Sequence, residues 1–274
     1  MPPLTALTRE QKRKFKEEGY IVIHNLIGGE DLKELDKMTD LLFNGELHPE
    51  TPYHGQLPEE FYTFWEPGKK DQKEIPRKYR IRLMAWMFFH HPYFRDIACH
   101  PAIYSVVSQL FNSAVKFFGD SIFMKPPKHG IAAALHQDTA FWPKLEPRAL
   151  NFWMAVDRAT IENGCLHLIP GTQNVDIPHK KDPVQGNILP DDLVDIRQQI
   201  PIELESGSAI FFDSGLAHRS YPNHSEYSRR AYAAVYVAKN VQHIEPWRII
   251  TLGSQSNLSY EFEPIQPSVE KFKP

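Results

Sequence analysis

The chain has 274 residues and a net charge of −3, enough length for one large core with a buried pocket and no basic footprint for nucleic acid. Its two cysteines, Cys99 and Cys165, exclude a disulfide framework and read as small buried apolar residues. No apolar run reaches the roughly 20 residues that cross a bilayer, and neither end carries a secretory or peroxisomal signal, so no membrane is expected and a reducing, cytoplasmic compartment is.

The first third reads as helical. The segment TREQ, Thr8 to Gln11, is a capping-box pattern that opens a helix toward Glu18, ended by Gly19. YIVIHNLI follows as a strand. Leu32, Leu35, Met38, Leu41 and Leu42 recur at helical spacing and predict a second amphipathic helix after Gly28 and Gly29. Residues 44–80 are rich in proline, glycine and charge and read as a long irregular segment. With Tyr53, His54, Phe61, Tyr62 and Trp65 it is a candidate lid, a packed surface loop being the alternative. Ile103, Val106, Val107, Leu110 and Phe111 predict another helix after Pro101.

From about residue 114 the texture changes. AVKFFGDSIFMK, ALNFWMAV, GCLHLIP, SAIFFD and AYAAVYVAK are short, aromatic and β-branched, and turn residues such as Glu162-Asn163-Gly164 and Pro170-Gly171 separate them. Repeated short strands with turn punctuation indicate a sandwich or barrel rather than βαβ units. The expected fold is α+β and mainly β: a double-stranded β-helix (jelly roll) core over 114–240 with the N-terminal helices packed on it. Residues 1–113 form a mostly helical layer and 241–274 an extension, all within a single domain, 1–274.

The stretch LHQDTAFWP sets His136 and Asp138 two residues apart. Spacing alone specifies nothing, because His48-Pro-Glu50, His224-Ser-Glu226 and His243-Ile-Glu245 share it. On a strand, however, His136 and Asp138 point to one face, and a histidine and carboxylate turned into a barrel must be satisfied there. A third ligand from a distant strand is supplied by His218 in SAIFFDSGLAHRSYPN. Two histidines and one carboxylate with open positions form the facial triad of non-haem Fe(II) oxygenases. Arg229 follows on a strand expected to run antiparallel to the one leading to His218. A buried arginine there needs an anion, and with Ser220 it suits a dicarboxylate reaching from the metal.

These segments carry a resemblance to a known family. Through LHQDTAFWP, NFWMAVDRATIENGCLHLIPGTQ and SGSAIFFDSGLAHRSYPNHSEYSRRA, the sequence resembles the phytanoyl-CoA dioxygenase family of Fe(II)/2-oxoglutarate-dependent oxygenases. The resemblance implies His136, Asp138 and His218 as iron ligands, and Arg229 with Ser220 as the pair holding the distal carboxylate of 2-oxoglutarate. It implies Trp153 as an aromatic wall beside the co-substrate, and contacts to the co-substrate from Gln137 and Arg82. Arg230 competes with Arg229, since a slip of one residue turns the side chain to the other face. Phe141 and Trp142 are candidates for the substrate side, core packing being the alternative.

The implied cofactors are Fe(II), 2-oxoglutarate and O2, and the implied reaction is hydroxylation of a small-molecule C–H with release of succinate and CO2. One departure is Gln173, which follows PGT where the family often has histidine or Ser-His. Asp138 is kept where halogenating relatives carry a small residue, which favours oxygenation. A non-catalytic 2-oxoglutarate or small-molecule sensor on the same fold is the alternative. A zinc hydrolase ranks behind it for want of a general base.

Overall fold

The computed structural model describes residues 6–47, 59, 62–141, 145–241, 248–251, 254–257 and 263–264. Helix α1, Arg9–Glu18, opens with the reciprocal cap written in TREQ. The Gln11 N–H donates to Thr8 Oγ1 at 3.1 Å, and the Thr8 N–H donates to Gln11 Oε1 at 2.8 Å. Gly19, at φ 85°, ends the helix in the left-handed conformation that a side chain would resist. The chain then enters β1, Tyr20–Ile23, and α2, Gly29–Asn44, whose buried Leu35, Met38 and Leu42 lie on one stripe.

Strands β2, Thr63–Trp65, and β3, Ile81–Ala85, follow, then three helices: α3, Met87–His90; α4, Pro92–Ala98; α5, Pro101–Phe111. The barrel is made by β4, Val115–Lys125; β5, Ala133–His136; β6, Leu150–Ala155; and β7, Leu166–Leu168. A hairpin of β8, Lys180–Asp182, and β9, Gly186–Ile188, interrupts it before β10, Ile200–Ile202; β11, Ala209–Asp213; β12, His218–Ser220; and β13, Arg229–Ala238. Three short strands complete the described chain: β14, Arg248–Thr251; β15, Ser254–Asn257; and β16, Glu263–Pro264. No helix among the described residues is long and apolar enough to cross a membrane.

Two antiparallel sheets face each other. The larger has the order β1-β11-β6-β13-β4-β3-β2, with β16 beside β4, and the smaller the order β10-β7-β12-β5. Strand alternation sorts the larger sheet's side chains into two cores. Phe152 and Met154 of β6, Phe211 of β11 and Tyr232 of β13 pack against the helices. Trp153 and Ala155, Ile210 and Phe212, and Ala231 turn toward the smaller sheet. This is the expected jelly roll under a helical layer.

Within residues 1–113 the expected strand, β1, and two strands that were not expected, β2 and β3, all join the larger sheet. Each has backbone donors and acceptors that a sheet edge satisfies, and the apolar YIVI run lies along β11 from Tyr20↔Phe212 to Ile23↔Ala209. Residues 44–80 are likewise not wholly irregular. β2 pairs with β3, and Tyr62 and Trp65 pack against the core beneath the helices. Tyr53, His54 and Phe61 lie outside the described residues.

Candidate metal centre

β5 ends at His136, directly opposite His218, the first residue of β12. Asp138 does not continue that strand. Gln137 keeps an extended backbone at φ −109° and ψ 136°, and Asp138 then starts a tight turn through Ala140. The shared strand face read from parity is thus replaced by a strand-to-turn corner, yet the groups still converge. His136 Nε2 lies 3.3 Å from Asp138 Oδ1, and His218 Nε2 lies 3.9 Å from Asp138 Oδ2. One ligand atom from each of the three residues falls within 4.8 Å of the others, and among the described residues this is the one such group.

Each imidazole is oriented by its own strand. His136 Nδ1–H donates to the Ala134 carbonyl at 2.7 Å and His218 Nδ1–H to the Leu216 carbonyl at 2.9 Å. A carbonyl only accepts, so the proton sits on Nδ1 and both Nε2 lone pairs turn inward, as a metal-ligating histidine requires. Asp138 Oδ2 accepts from Asn151 Nδ2 at 2.6 Å, which ties the corner to β6 on the opposite sheet. Burial, with His136 close by, pulls the His218 imidazole down to about 4. Burial opposes charge at Asp138 too, but the two imidazoles outweigh it and hold the carboxylate below its ordinary range. Two neutral-capable imidazoles and an ionised carboxylate with second partners in place are a donor set that fits a divalent transition metal.

Arg229 begins β13 with the parity of Ala231, so it points between the sheets. It is 3% exposed, and its Nε and Nη1 have no hydrogen-bond partner. Its guanidinium lies over the Trp153 ring at 5.2 Å, and burial presses its pKa down to about 10. Arg230 faces the other way, forked onto Asp157 at 2.6 and 2.9 Å and reaching Asp36 of α2 at 2.5 Å. The strand leading to His218 is β11; β6 lies between it and β13 and runs antiparallel to both, so Arg229's strand is parallel to β11 and not antiparallel to it as expected. Ser220 is buried two residues beyond His218 on β12.

Gln137 is buried, but its side chain is spent elsewhere. The amide donates to the carbonyls of Val175 at 2.8 Å and Gly215 at 2.5 Å, and its oxygen accepts from the Ile177 N–H at 3.1 Å. The Gln137 side chain thus pins the Val175–Ile177 segment to the turn at Gly215. Arg82, on β3, donates to Gln185 at 3.1 Å, and its charge is felt at His136. Phe141 is 41% exposed and stands edge-on to His136 at 5.5 Å between ring centroids. Trp142 lies outside the described residues, as do His48-Pro-Glu50 and His243-Ile-Glu245, while His224 and Glu226 are exposed.

Two neighbours of the centre escaped the sequence. Asn151 could have been found from its inward parity with Trp153. Lys125 could not, because only the sheet register sets it opposite Arg229. Its ammonium donates to the carbonyls of Ile131 at 2.5 Å and Tyr221 at 2.8 Å, and burial, then Arg229 and Arg82, push its pKa down to about 6.

The family model described as phytanoyl-CoA dioxygenase matches residues 15–231. Phytanoyl-CoA dioxygenase 1 of Oryza sativa subsp. japonica is 26% identical over 250 residues, with 84% of this chain and 89% of the rice protein covered. Phytanoyl-CoA dioxygenase domain-containing protein 1 of Mus musculus is 24% identical over 261 residues, with the same 84% and 89% coverage. Among solved structures, EctD from S. alaskensis with 2-oxoglutarate and 5-hydroxyectoine superposes with a TM-score of 0.70 at 19% identity, over 96% of this chain and 86% of that one. The non-heme alpha ketoglutarate dependent carbocyclase SnoK from nogalamycin biosynthesis gives 0.69 at 18% identity, over 95% and 96% of the two chains. At these identities the structural likeness speaks for the fold.

Proposed function

The chain belongs to the phytanoyl-CoA dioxygenase family and is an Fe(II)- and 2-oxoglutarate-dependent dioxygenase, and from that premise we propose that it hydroxylates a C–H bond of a small molecule through a centre held by His136, Asp138 and His218. The observation that carries this reading is the pairing of the converged triad with a buried arginine whose Nε and Nη1 are unpartnered. The bound iron supplies the activation of O2 coupled to decarboxylation of 2-oxoglutarate into succinate and CO2. Arg229 binds the distal carboxylate of the co-substrate, with the Ser220 hydroxyl beside it and Trp153 as the wall on which both rest. Asn151 fixes which Asp138 oxygen is free to ligate by occupying the other. Phe141, edge-on to His136, lines the substrate side and keeps water from that flank. The reducing, cytoplasmic compartment read from the sequence suits two cysteines that are both buried and free.

The test is an anaerobic titration of the protein with Fe(II) and then 2-oxoglutarate, followed by exposure to O2 and quantification of succinate. A charge-transfer band on adding 2-oxoglutarate and succinate after O2 are expected. A band without succinate, even slowly formed, would make the protein a sensor. Absence of both would remove the proposed centre.

A further inference from the structure

His179 lies immediately before β8, and its ring is prepared as those of the two ligating histidines are. Its Nδ1–H donates to the carbonyl two residues back, that of Ile177, at 2.7 Å, just as His136 and His218 donate to Ala134 and Leu216. The Nε2 lone pair is thereby left to accept. It is taken by the Gln137 N–H at 3.0 Å, so His179 is no fourth ligand.

The N–H that it takes belongs to the peptide between His136 and Gln137. A peptide unit is planar and carries the Cα atoms of both its residues. Fixing its N–H on an acceptor therefore fixes the Cα from which the His136 imidazole hangs, and the entry to the turn that bears Asp138. The side chain of Gln137 is fixed as well, on Val175, Ile177 and Gly215. The residue between two ligands is thus gripped through main chain and side chain by one segment, 175–179, that supplies no ligand itself.

Satisfying that N–H alone would not require a histidine. A cavity of about 170 Å³ adjoins it, with Gln137, Thr139, Ala140, His179 and Ser214 in its lining, and it has room for water to accept the bond. Water has no fixed place there. The His179 ring does, because its second nitrogen is anchored on Ile177 and its backbone leads into the β8–β9 hairpin.

Building on the dioxygenase reading, we propose that His179 is a positioning residue of the metal centre: through Nε2 it holds the peptide that follows His136, and so sets the spacing at which His136 and Asp138 meet the metal.

Two substitutions separate the two bonds of the ring. In His179→Gln the side-chain oxygen can take the place of Nε2, which keeps an acceptor for the Gln137 N–H. In His179→Asn the side-chain nitrogen can take the place of Nδ1, which keeps the bond to Ile177 and loses that acceptor. The full-length parent and both variants are titrated anaerobically with Fe(II) and then 2-oxoglutarate, and the Tm of each metal-free protein is recorded. His179→Asn should bind Fe(II) about tenfold or more weakly and show a displaced charge-transfer band, whereas His179→Gln should recover to within about threefold of the parent with the band in place. The inference is overturned if His179→Asn binds Fe(II) as the parent does, if His179→Gln is as weak as His179→Asn, or if affinity simply follows the metal-free Tm with the band unmoved. Should His179→Asn fail to fold, His179→Leu, which gives up both bonds at similar volume, takes its place under the same criteria. A parent that binds no Fe(II) would sink the dioxygenase centre itself; with a parent that binds it, the variants alone decide on His179.

Discussion

Replacing Arg229 by methionine should raise the stability of the protein free of 2-oxoglutarate and remove most of its response to that compound. A guanidinium that burial presses from its ordinary range down to about 10 costs the fold on the order of 3 kcal/mol at neutral pH. The sign follows from the direction. The folded pKa lies below the unfolded one, so the penalty is complete at neutral pH and is relieved only as pH rises through 10. Methionine fills a similar volume against Trp153 but gives up a cation–π contact worth roughly 0.5–2 kcal/mol. The net gain is then about 1–2.5 kcal/mol, or several degrees in Tm for a chain of this size. The parent should gain about 2.7 kcal/mol from 2-oxoglutarate at a hundred times its Kd. In the variant the lost partner weakens binding by about 2–5 kcal/mol, so the same concentration should stabilise by less than about 1 kcal/mol. Scanning calorimetry of the Mn(II)-loaded proteins under argon, with and without 2-oxoglutarate, reads both effects. A variant that melts well below the parent and still responds fully to 2-oxoglutarate would refute the reasoning. So would an Arg230→Met protein that loses the response instead.

Asn151→Ala strips Asp138 of its 2.6 Å donor and should weaken Fe(II) binding about 10- to 100-fold without unfolding the sheet, as anaerobic metal titration would show. Asp138→Gly should lower Fe(II) affinity and make Fe(II)/2-oxoglutarate binding improve with chloride, because both a ligand and a negative charge are gone. An identical chloride response in parent and variant, followed in the charge-transfer band, would mean that Asp138 does not ligate. Asp120, buried under α3 and bonded by the Phe88 N–H and the Tyr232 hydroxyl, is pushed by burial from 3.8 up to about 7. Its stabilising share is therefore complete below pH 4 and lost as pH rises through 7, so the Tm of the parent relative to Asp120→Asn should fall across that window. A difference that stays flat with pH would contradict the assignment.

What the sequence shows of this protein is whatever is local. The cap at Thr8, the stripe of α2 and the alternation along β6 and β13 all follow from neighbours within a few residues, and they are found where expected. The corner at Asp138 was not legible, because its cause is distant: Gln137 spends its amide on Val175, Gly215 and Ile177, which bends the chain out of β5. The choice between Arg229 and Arg230 also waited on register, since Arg230 takes its partners from Asp157 and from Asp36 on a helix near the other end of the chain. Lys125 gave no signal at all. Its setting is made of backbone carbonyls from the turns before β5 and before β13 and of charges on β3 and β13, and no spacing encodes that.

The division of the centre between two sheets has a consequence for how the proposed co-substrate is selected. The triad sits on β5, β12 and the corner after β5, at the smaller sheet. Arg229 and Trp153 sit on β13 and β6, in the larger one. Facing sheets stand about 10 Å apart, so a molecule that ligates a metal at one and meets a guanidinium at the other must be a short dicarboxylate of nearly fixed length. That gap is held by the Asn151–Asp138 bond, which joins β6 to the corner, and by the apolar filling of Trp153, Leu168, Phe212 and Ala231. Length selection is thus a property of inter-sheet packing as much as of Arg229. Trimming the filling at Leu168 should accordingly blunt the preference for 2-oxoglutarate over its one-carbon-longer homologue while Arg229 stays in place, and competition titration of the two diacids would measure it.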